Sequence, residues 1–155
     1  MKLQVNTLLA LYSVMEFAAD PQRHIPASEI ADKYGISAHH LAKVLAELAR
    51  AGVVTSVRGV GGGYRFTANV RRLTLMDIIQ LFEDFSPASH QHGDTTPVDR
   101  AIGQVLTEID QITRATFSSI TVATMLRLVE RQEDGGKLPD AEDAKGTQRT
   151  QKKTF

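Results

Sequence analysis

The chain contains no cysteine and no tryptophan among its 155 residues. Without cysteine it cannot form disulfides, use a thiol nucleophile, or hold zinc or an iron–sulfur cluster through thiolates. It also lacks an apolar run near the roughly 18 residues that cross a membrane, and its first residues lack the cleavage region of a signal peptide. We therefore expect a cytoplasmic protein that makes no membrane contact.

An excess of charge of one sign is also missing, because 18 lysine and arginine residues balance 18 aspartate and glutamate residues. The balance hides an asymmetry along the chain. Residues 1–72 carry nine basic and five acidic side chains, whereas residues 73–132 carry four basic and eight acidic ones. The basic first half favours an anionic partner such as nucleic acid, although so modest an excess is also compatible with chance.

Catalytic arrangements are absent from the sequence as well. No nucleophile, base and orienting residue come together in a recognisable pattern, and no cofactor motif is present. Gly59-Val60-Gly61 begins like a nucleotide-binding fingerprint. That motif opens a helix, however, and here the chain runs on into a segment that is typical of a strand, residues 64–67. We predict no enzyme and no cofactor.

The first half predicts three helices followed by a β-hairpin. The apolar spacing and the breaking residues place helices over residues 5–19, Ala27–Gly35 and Ala38–Ala51, and strands over residues 53–57 and 64–67. Gly35 ends the second helix, and Ser37 is a good N-cap for the third. This order is the layout of a winged helix-turn-helix, so the predicted fold class is mainly α with a small β-hairpin.

The start of the third helix is the predicted base-reading element. In a helix-turn-helix, exposed residues at this point contact base edges in the major groove of double-stranded DNA. Near the first helix, Lys2, Gln4, Asn6 and Thr7 could add phosphate contacts. A simple exposed helix with two histidines remains the alternative. The predicted contact residues here are Ser37, Ala38, His39, His40 and Lys43.

The glycine-rich tip of the hairpin is the second predicted DNA contact. Glycines allow the backbone to approach another surface closely, and arginine suits the negative potential of a narrow minor groove. A plain flexible hairpin is the alternative. The predicted contact residues are Arg58, Gly59, Gly61, Gly62 and Arg65.

The second half predicts a long helix with one apolar seam. Thr74 caps a short fourth helix that completes the domain of residues 1–85, and a loop covers residues 86–96. Residues 97–131 form the dimerisation helix and a short C-terminal helix, and residues 132–155 form a disordered tail. The seam follows the 4-3 spacing of packed helices, and its alternative is packing within one subunit. Its residues are Val98, Ile102, Val105, Ile109 and Ile112.

These motifs together resemble the Rrf family of bacterial winged-helix regulators, which includes the IscR and NsrR proteins. The resemblance covers about residues 1–131. It implies a homodimer joined by its long C-terminal helix, a palindromic operator, and a wing arginine at Arg58 that enters the minor groove. It is carried by Ile30-Ala31, Gly35-Ile36-Ser37, Leu41, Leu45, Leu48, residues 51–54, Ser56, Arg58-Gly59, Gly62-Gly63-Tyr64 and residues 73–78.

One departure from the family pattern concerns the sensing chemistry. Members that hold an iron–sulfur cluster carry three cysteines between the fourth helix and the dimer helix, and this chain has none there. The resemblance therefore implies a cluster-free member with an unidentified effector. His90 and His92 lie in this loop, but two histidines at i and i+2 more often belong to ordinary polar sequence, so no metal site is predicted.

The predicted function is sequence-specific DNA binding that regulates transcription, as a repressor. The alternative is a winged helix that contacts only other proteins. Such domains often lack basic residues on the third helix and the wing, so Lys43, Arg58 and Arg65 argue against it.

Overall fold

The computed structural model describes residues 2–85 and 96–135. Its elements follow one another in the order helix, helix, helix, hairpin, helix, helix, helix. They are α1 (Val5–Ala19), α2 (Ala27–Tyr34), α3 (Ala38–Arg50), β1 (Val54–Val57), β2 (Gly63–Phe66), α4 (Leu75–Ile79), α5 (Pro97–Ser119) and α6 (Val122–Gly135).

The core lies where α1, α2 and α3 meet the hairpin. α1 inserts Val14 and Phe17, both fully buried, and α3 turns one apolar face inward while its opposite face stays exposed. Burial of such a face is what stabilises a helix this short, since propensity alone does not. The α3 face consists of Leu41, Val44, Leu45 and Leu48.

β1 and β2 pair antiparallel, with Val54 opposite Phe66 and Val57 opposite Gly63. The hairpin is also joined to the connection between α1 and α2. Backbone hydrogen bonds of 2.9 Å run in both directions between Ile25 and Tyr64. This contact adds a third short segment to the edge of the sheet and fixes the hairpin relative to the helices.

α6 returns to the first domain instead of extending α5 away from it. Val122 is fully buried in the common core, and Leu126 packs against that core. The backbone N–H of Val122 donates to the carbonyl of Leu73 at 2.9 Å, and that of Leu75 donates to Ile120 at 2.9 Å. The predicted division between residues 1–85 and 97–131 therefore does not separate the last helix from the core.

The predicted helices and strands are confirmed to within one residue at most of their ends. One end is wrong, because α6 continues to Gly135 and the predicted tail would have begun at residue 132. Glutamate and glutamine are good helix formers even without apolar neighbours. A prediction that ended α6 where the sequence becomes polar therefore ended the helix too early. The rest of the predicted tail lies outside the described residues. No helix in the described ranges is long and apolar enough to cross a bilayer.

Candidate nucleic-acid interface

The turn between α2 and α3 has the capping chemistry that the sequence predicts. Gly35 adopts a left-handed conformation with φ 63°, and its N–H closes α2 onto the carbonyls of Ala31 and Asp32. Ser37 then caps α3, since its hydroxyl accepts from the backbone N–H of His40 at 3.4 Å. These caps fix the angle between the two helices of the helix-turn-helix.

The first turn of α3 projects into solvent. Its predicted contact residues are all exposed, whereas the inward face of the same helix is almost completely buried. Donors and acceptors on an exposed helix start can reach base edges and phosphates without any rearrangement of the core. The exposed residues are Ser37, Ala38, His39, His40 and Lys43.

The start of α1 lies beside this turn. Nε2 of His40 is 2.5 Å from Oδ1 of Asn6, and both side chains are exposed. The sequence placed Asn6 and His40 separately among candidate DNA contacts. The structure brings them together, and no spacing rule could have joined two residues on different helices.

Thr7 corrects one sequence-based expectation. It is fully buried, and its hydroxyl donates to Oε1 of Glu83 at 2.6 Å. The prediction of a phosphate contact at Thr7 is therefore wrong, because its side chain faces the protein. The same Glu83 oxygen accepts from the backbone N–H of Gln4 at 2.7 Å, so a carboxylate from beyond α4 caps the start of α1.

A second polar cluster joins α1 to α2. Glu16 accepts from Nζ of Lys33 at 2.6 Å and from the hydroxyl of Tyr34 at 2.5 Å, and the Tyr34 ring stacks on Tyr12 with centroids 5.0 Å apart. Burial raises the pKa of Glu16, but the bonds from Lys33 and Tyr34 and the lysine charge outweigh it and lower the pKa overall. Burial and the neighbouring Glu16 carboxylate raise the pKa of Tyr34.

The glycines of the wing serve two different purposes. A Cβ atom at Gly62 would collide with the carbonyl oxygen of Val57, and one at Gly63 would lie 2.5 Å from that of Ile25. Glycine is required at these two positions by contacts within the chain. Gly59 and Gly61 have positive φ and open space around them, so their backbone is free to approach another molecule.

The two wing arginines differ in their exposure. Arg58 is exposed at the foot of the tip, next to Val60, which projects fully into solvent. Arg65 is half-buried on β2 opposite Thr55, and its Nε is buried without a hydrogen-bond partner. Arg58 is therefore free to enter a groove, whereas Arg65 has part of its guanidinium against the protein.

α5 has two different faces. One face packs on the rest of the same chain, where Arg114 donates to the carbonyl oxygen of Phe85 at 2.9 Å and lies over the Phe85 ring. The other face is the predicted seam, and each of its apolar side chains is 52–67% exposed. No residue of this 23-residue helix is buried. The seam consists of Val98, Ile102, Val105, Ile109 and Ile112.

His90 and His92 lie outside the described residues, as does nearly all of the predicted loop 86–96. Within residues 2–85 and 96–135, no three histidine, aspartate or glutamate side chains are grouped as a metal site.

Comparison with known proteins agrees with this architecture. The model of the Rrf2 family, described as an iron-dependent transcriptional regulator, matches residues 3–128. The putative HTH-type transcriptional regulator BadM of Rhodopseudomonas palustris is 46% identical over 137 residues, which cover 85% of each chain.

Solved structures share the fold. CymR, the global cysteine regulator of B. subtilis, aligns with a TM-score of 0.70 and 25% identity over 83% of this chain and 98% of that one. T. potens IscR aligns with a TM-score of 0.65 and 24% identity over 90% of this chain and 93% of that one. The mainly helical fold with a two-stranded wing is thus the fold of characterised regulators.

Proposed function

The chain belongs to the Rrf2 family of transcriptional regulators, and we propose that it acts as a homodimeric repressor that binds a palindromic operator. The observation that carries this proposal is the pairing of two exposed surfaces on one domain. The start of α3 and the tip of the wing are both exposed, and the hydrophobic core of the same domain is buried. This arrangement suits a helix in the major groove and a wing in the adjacent minor groove.

The seam of α5 supports the dimer. Five branched apolar side chains at helix-packing spacing, each more than half exposed, form a stripe that a lone chain leaves in water. Pairing two such stripes about a two-fold axis would bury them. It would also place two copies of α3 to reach half-sites separated by about 34 Å, one turn of DNA.

Repression is the part of this proposal that concerns the effect on transcription. The described residues form a DNA-binding unit and a helix whose free face suits self-association, and a dimer of this kind would repress by occupying the promoter in place of the polymerase. We further propose that regulation does not use a thiolate-held cluster, because the sequence contains no cysteine. Iron and acid-labile sulfide assays on protein purified without air are expected to find no stoichiometric cluster, and a cluster-like visible absorption band would contradict this.

The operator can be identified by selection in vitro, whichever gene it controls. Wild-type protein is used to select from a library of random duplex DNA, and bound sequences are read out. We expect enrichment of one inverted repeat whose half-sites are about one helical turn apart. If no sequence is enriched above the input library, the proposal of sequence-specific binding fails, and the alternative of a winged helix for protein contacts gains support.

Arg58→Ala then tests the wing. We expect a loss of about 1–3 kcal/mol in binding to the selected operator if this arginine enters the minor groove. Arg50→Ala is the matched control, because Arg50 is an equally charged, exposed side chain that pairs with Glu47 at the far end of α3. Equal affinities of both variants in a gel-shift titration would remove Arg58 from the interface without removing the proposed function.

A further inference from the structure

The hydrogen bond between α1 and α3 occurs at the point where the helix-turn-helix meets solvent. Asn6 lies in the first turn of α1, and His40 lies in the first turn of α3. Their side chains are 2.5 Å apart between Oδ1 and Nε2. Among the described residues, the imidazole makes no second hydrogen bond, so Nδ1 is left for another molecule.

Hydrogen bonds hold the backbone near both Asn6 and His40. The backbone N–H of His40 donates to the capping hydroxyl of Ser37. The start of α1, where helices usually fray, is tied to Glu83 through the N–H of Gln4 and the buried hydroxyl of Thr7. The backbone that carries Asn6 is therefore held in place on one side of the pair, and the backbone that carries the His40 ring is capped on the other.

The chemistry of the pair determines which way the imidazole is protonated. An amide oxygen only accepts hydrogen bonds, so the ring must donate from Nε2. In the neutral imidazole the other nitrogen then carries a lone pair. We propose that Asn6 is a specificity-determining partner of His40, which fixes the imidazole in the form whose Nδ1 is an acceptor. This inference rests on the proposed function of DNA binding.

The acceptor has a defined preference in the major groove. Cytosine presents an amino donor there and adenine presents an amino donor beside an acceptor, whereas guanine presents two acceptors. An Nδ1 lone pair on His40 therefore selects cytosine or adenine at the base that His40 contacts and disfavours guanine. A free histidine reads both kinds of edge, because either nitrogen can carry the proton.

The experiment measures base preference at every position of the selected inverted repeat, by competition binding with single-base operator variants. It compares the wild type with His40→Ala, Asn6→Ala, Asn6→Asp and the double variant His40→Ala/Asn6→Ala. The wild-type selection comes first, so a failure of DNA binding itself is seen before any variant is judged. Thermal unfolding of each variant checks that the fold is retained.

His40→Ala identifies the base pair that His40 reads, through loss of preference at one position in each half-site. At that position we expect the wild type to favour cytosine or adenine over guanine. Asn6→Ala should reduce this preference by about two- to tenfold, the worth of one hydrogen bond. Asn6→Asp should shift it toward guanine, because a carboxylate favours the charged ring, whose Nδ1 donates.

A double-mutant cycle separates action through His40 from a general effect of Asn6. If Asn6 acts through the ring, Asn6→Ala changes nothing further once His40 is alanine. His39 is the matched control, since it is the neighbouring exposed histidine without a bond to Asn6. Its cycle with Asn6 should be additive. A wild-type preference for guanine at the His40 position, or base preferences unaltered by Asn6→Ala, would overturn the proposal.

Discussion

Among single residues, Glu16 is a half-buried carboxylate of the DNA-binding half that accepts two side-chain hydrogen bonds. Burial raises its pKa, but the bonds from Lys33 and Tyr34 hold the net pKa below the ordinary value of 4.5. A carboxyl whose pKa is lowered on folding stabilises the folded state fully above its unfolded pKa. That contribution is lost as the pH falls through the folded value.

Glu16→Gln should therefore lower the free energy of unfolding at neutral pH by less than about 1 kcal/mol, since the pair is partly in water. The difference from the wild type should shrink as the pH falls below 4.5. Urea unfolding at neutral and acid pH measures both values. Tyr34→Phe is a second test, because it keeps the ring that stacks on Tyr12 and removes only one of the two hydrogen bonds to Glu16, so its effect should be smaller and should shrink over the same pH range. A difference that stays constant with pH would contradict this account.

Between elements, Glu83 is the carboxylate that caps α1 from beyond α4. Glu83→Ala leaves the buried hydroxyl of Thr7 and the N–H of Gln4 without their acceptor. An unsatisfied buried donor costs about 1–3 kcal/mol, so we expect a loss of that size in the free energy of unfolding.

Glu83→Gln is the matched control for that loss. It retains one side-chain oxygen as acceptor and removes only the negative charge near the helix start, which is worth about 0.3–1 kcal/mol. Chemical denaturation of the two variants distinguishes the roles. If Glu83→Ala and Glu83→Gln lower the free energy of unfolding equally, the hydrogen bonds to Thr7 and Gln4 do not stabilise the start of α1.

The helices and the hairpin could be predicted because their signals are local. Ser37, Gly35 and Thr74 are caps that act within a few residues, and apolar spacing identifies each buried face. The contacts of Glu83 with Thr7 and of Asn6 with His40 join residues 76 and 34 positions apart. The apolar spacing of the sequence does not indicate such pairs, because they arise only when one helix packs against another.

Thr7 and Gly62 show the same limit inside the candidate interface. The sequence marks Thr7 as polar and near a helix start, but the side of α1 on which it falls depends on α4. The glycines of the wing look equivalent in the sequence. Only the folded chain shows that Gly62 lies against the carbonyl oxygen of Val57 and Gly63 against that of Ile25, while Gly59 and Gly61 remain open.

For the whole molecule, the seam of α5 predicts its assembly. Ile109→Asp places a charge in the middle of the exposed apolar stripe and should convert a dimer into monomers. Sedimentation equilibrium measures the molecular mass directly. Gln111→Asp is the control, because position 111 points about 200° around the helix from position 109. A wild type that is monomeric at micromolar concentration would contradict the proposed dimer.

The seam also makes operator occupancy depend on how much of the protein the cell holds. If two chains must meet through α5 before both half-sites are filled, dimer concentration follows the square of chain concentration while monomers predominate. A doubling of synthesis would then raise occupancy of a sparsely filled operator about fourfold. The rate of synthesis of the protein would then itself be a signal. Operator occupancy would rise more steeply with protein concentration than it would for a regulator that is always dimeric.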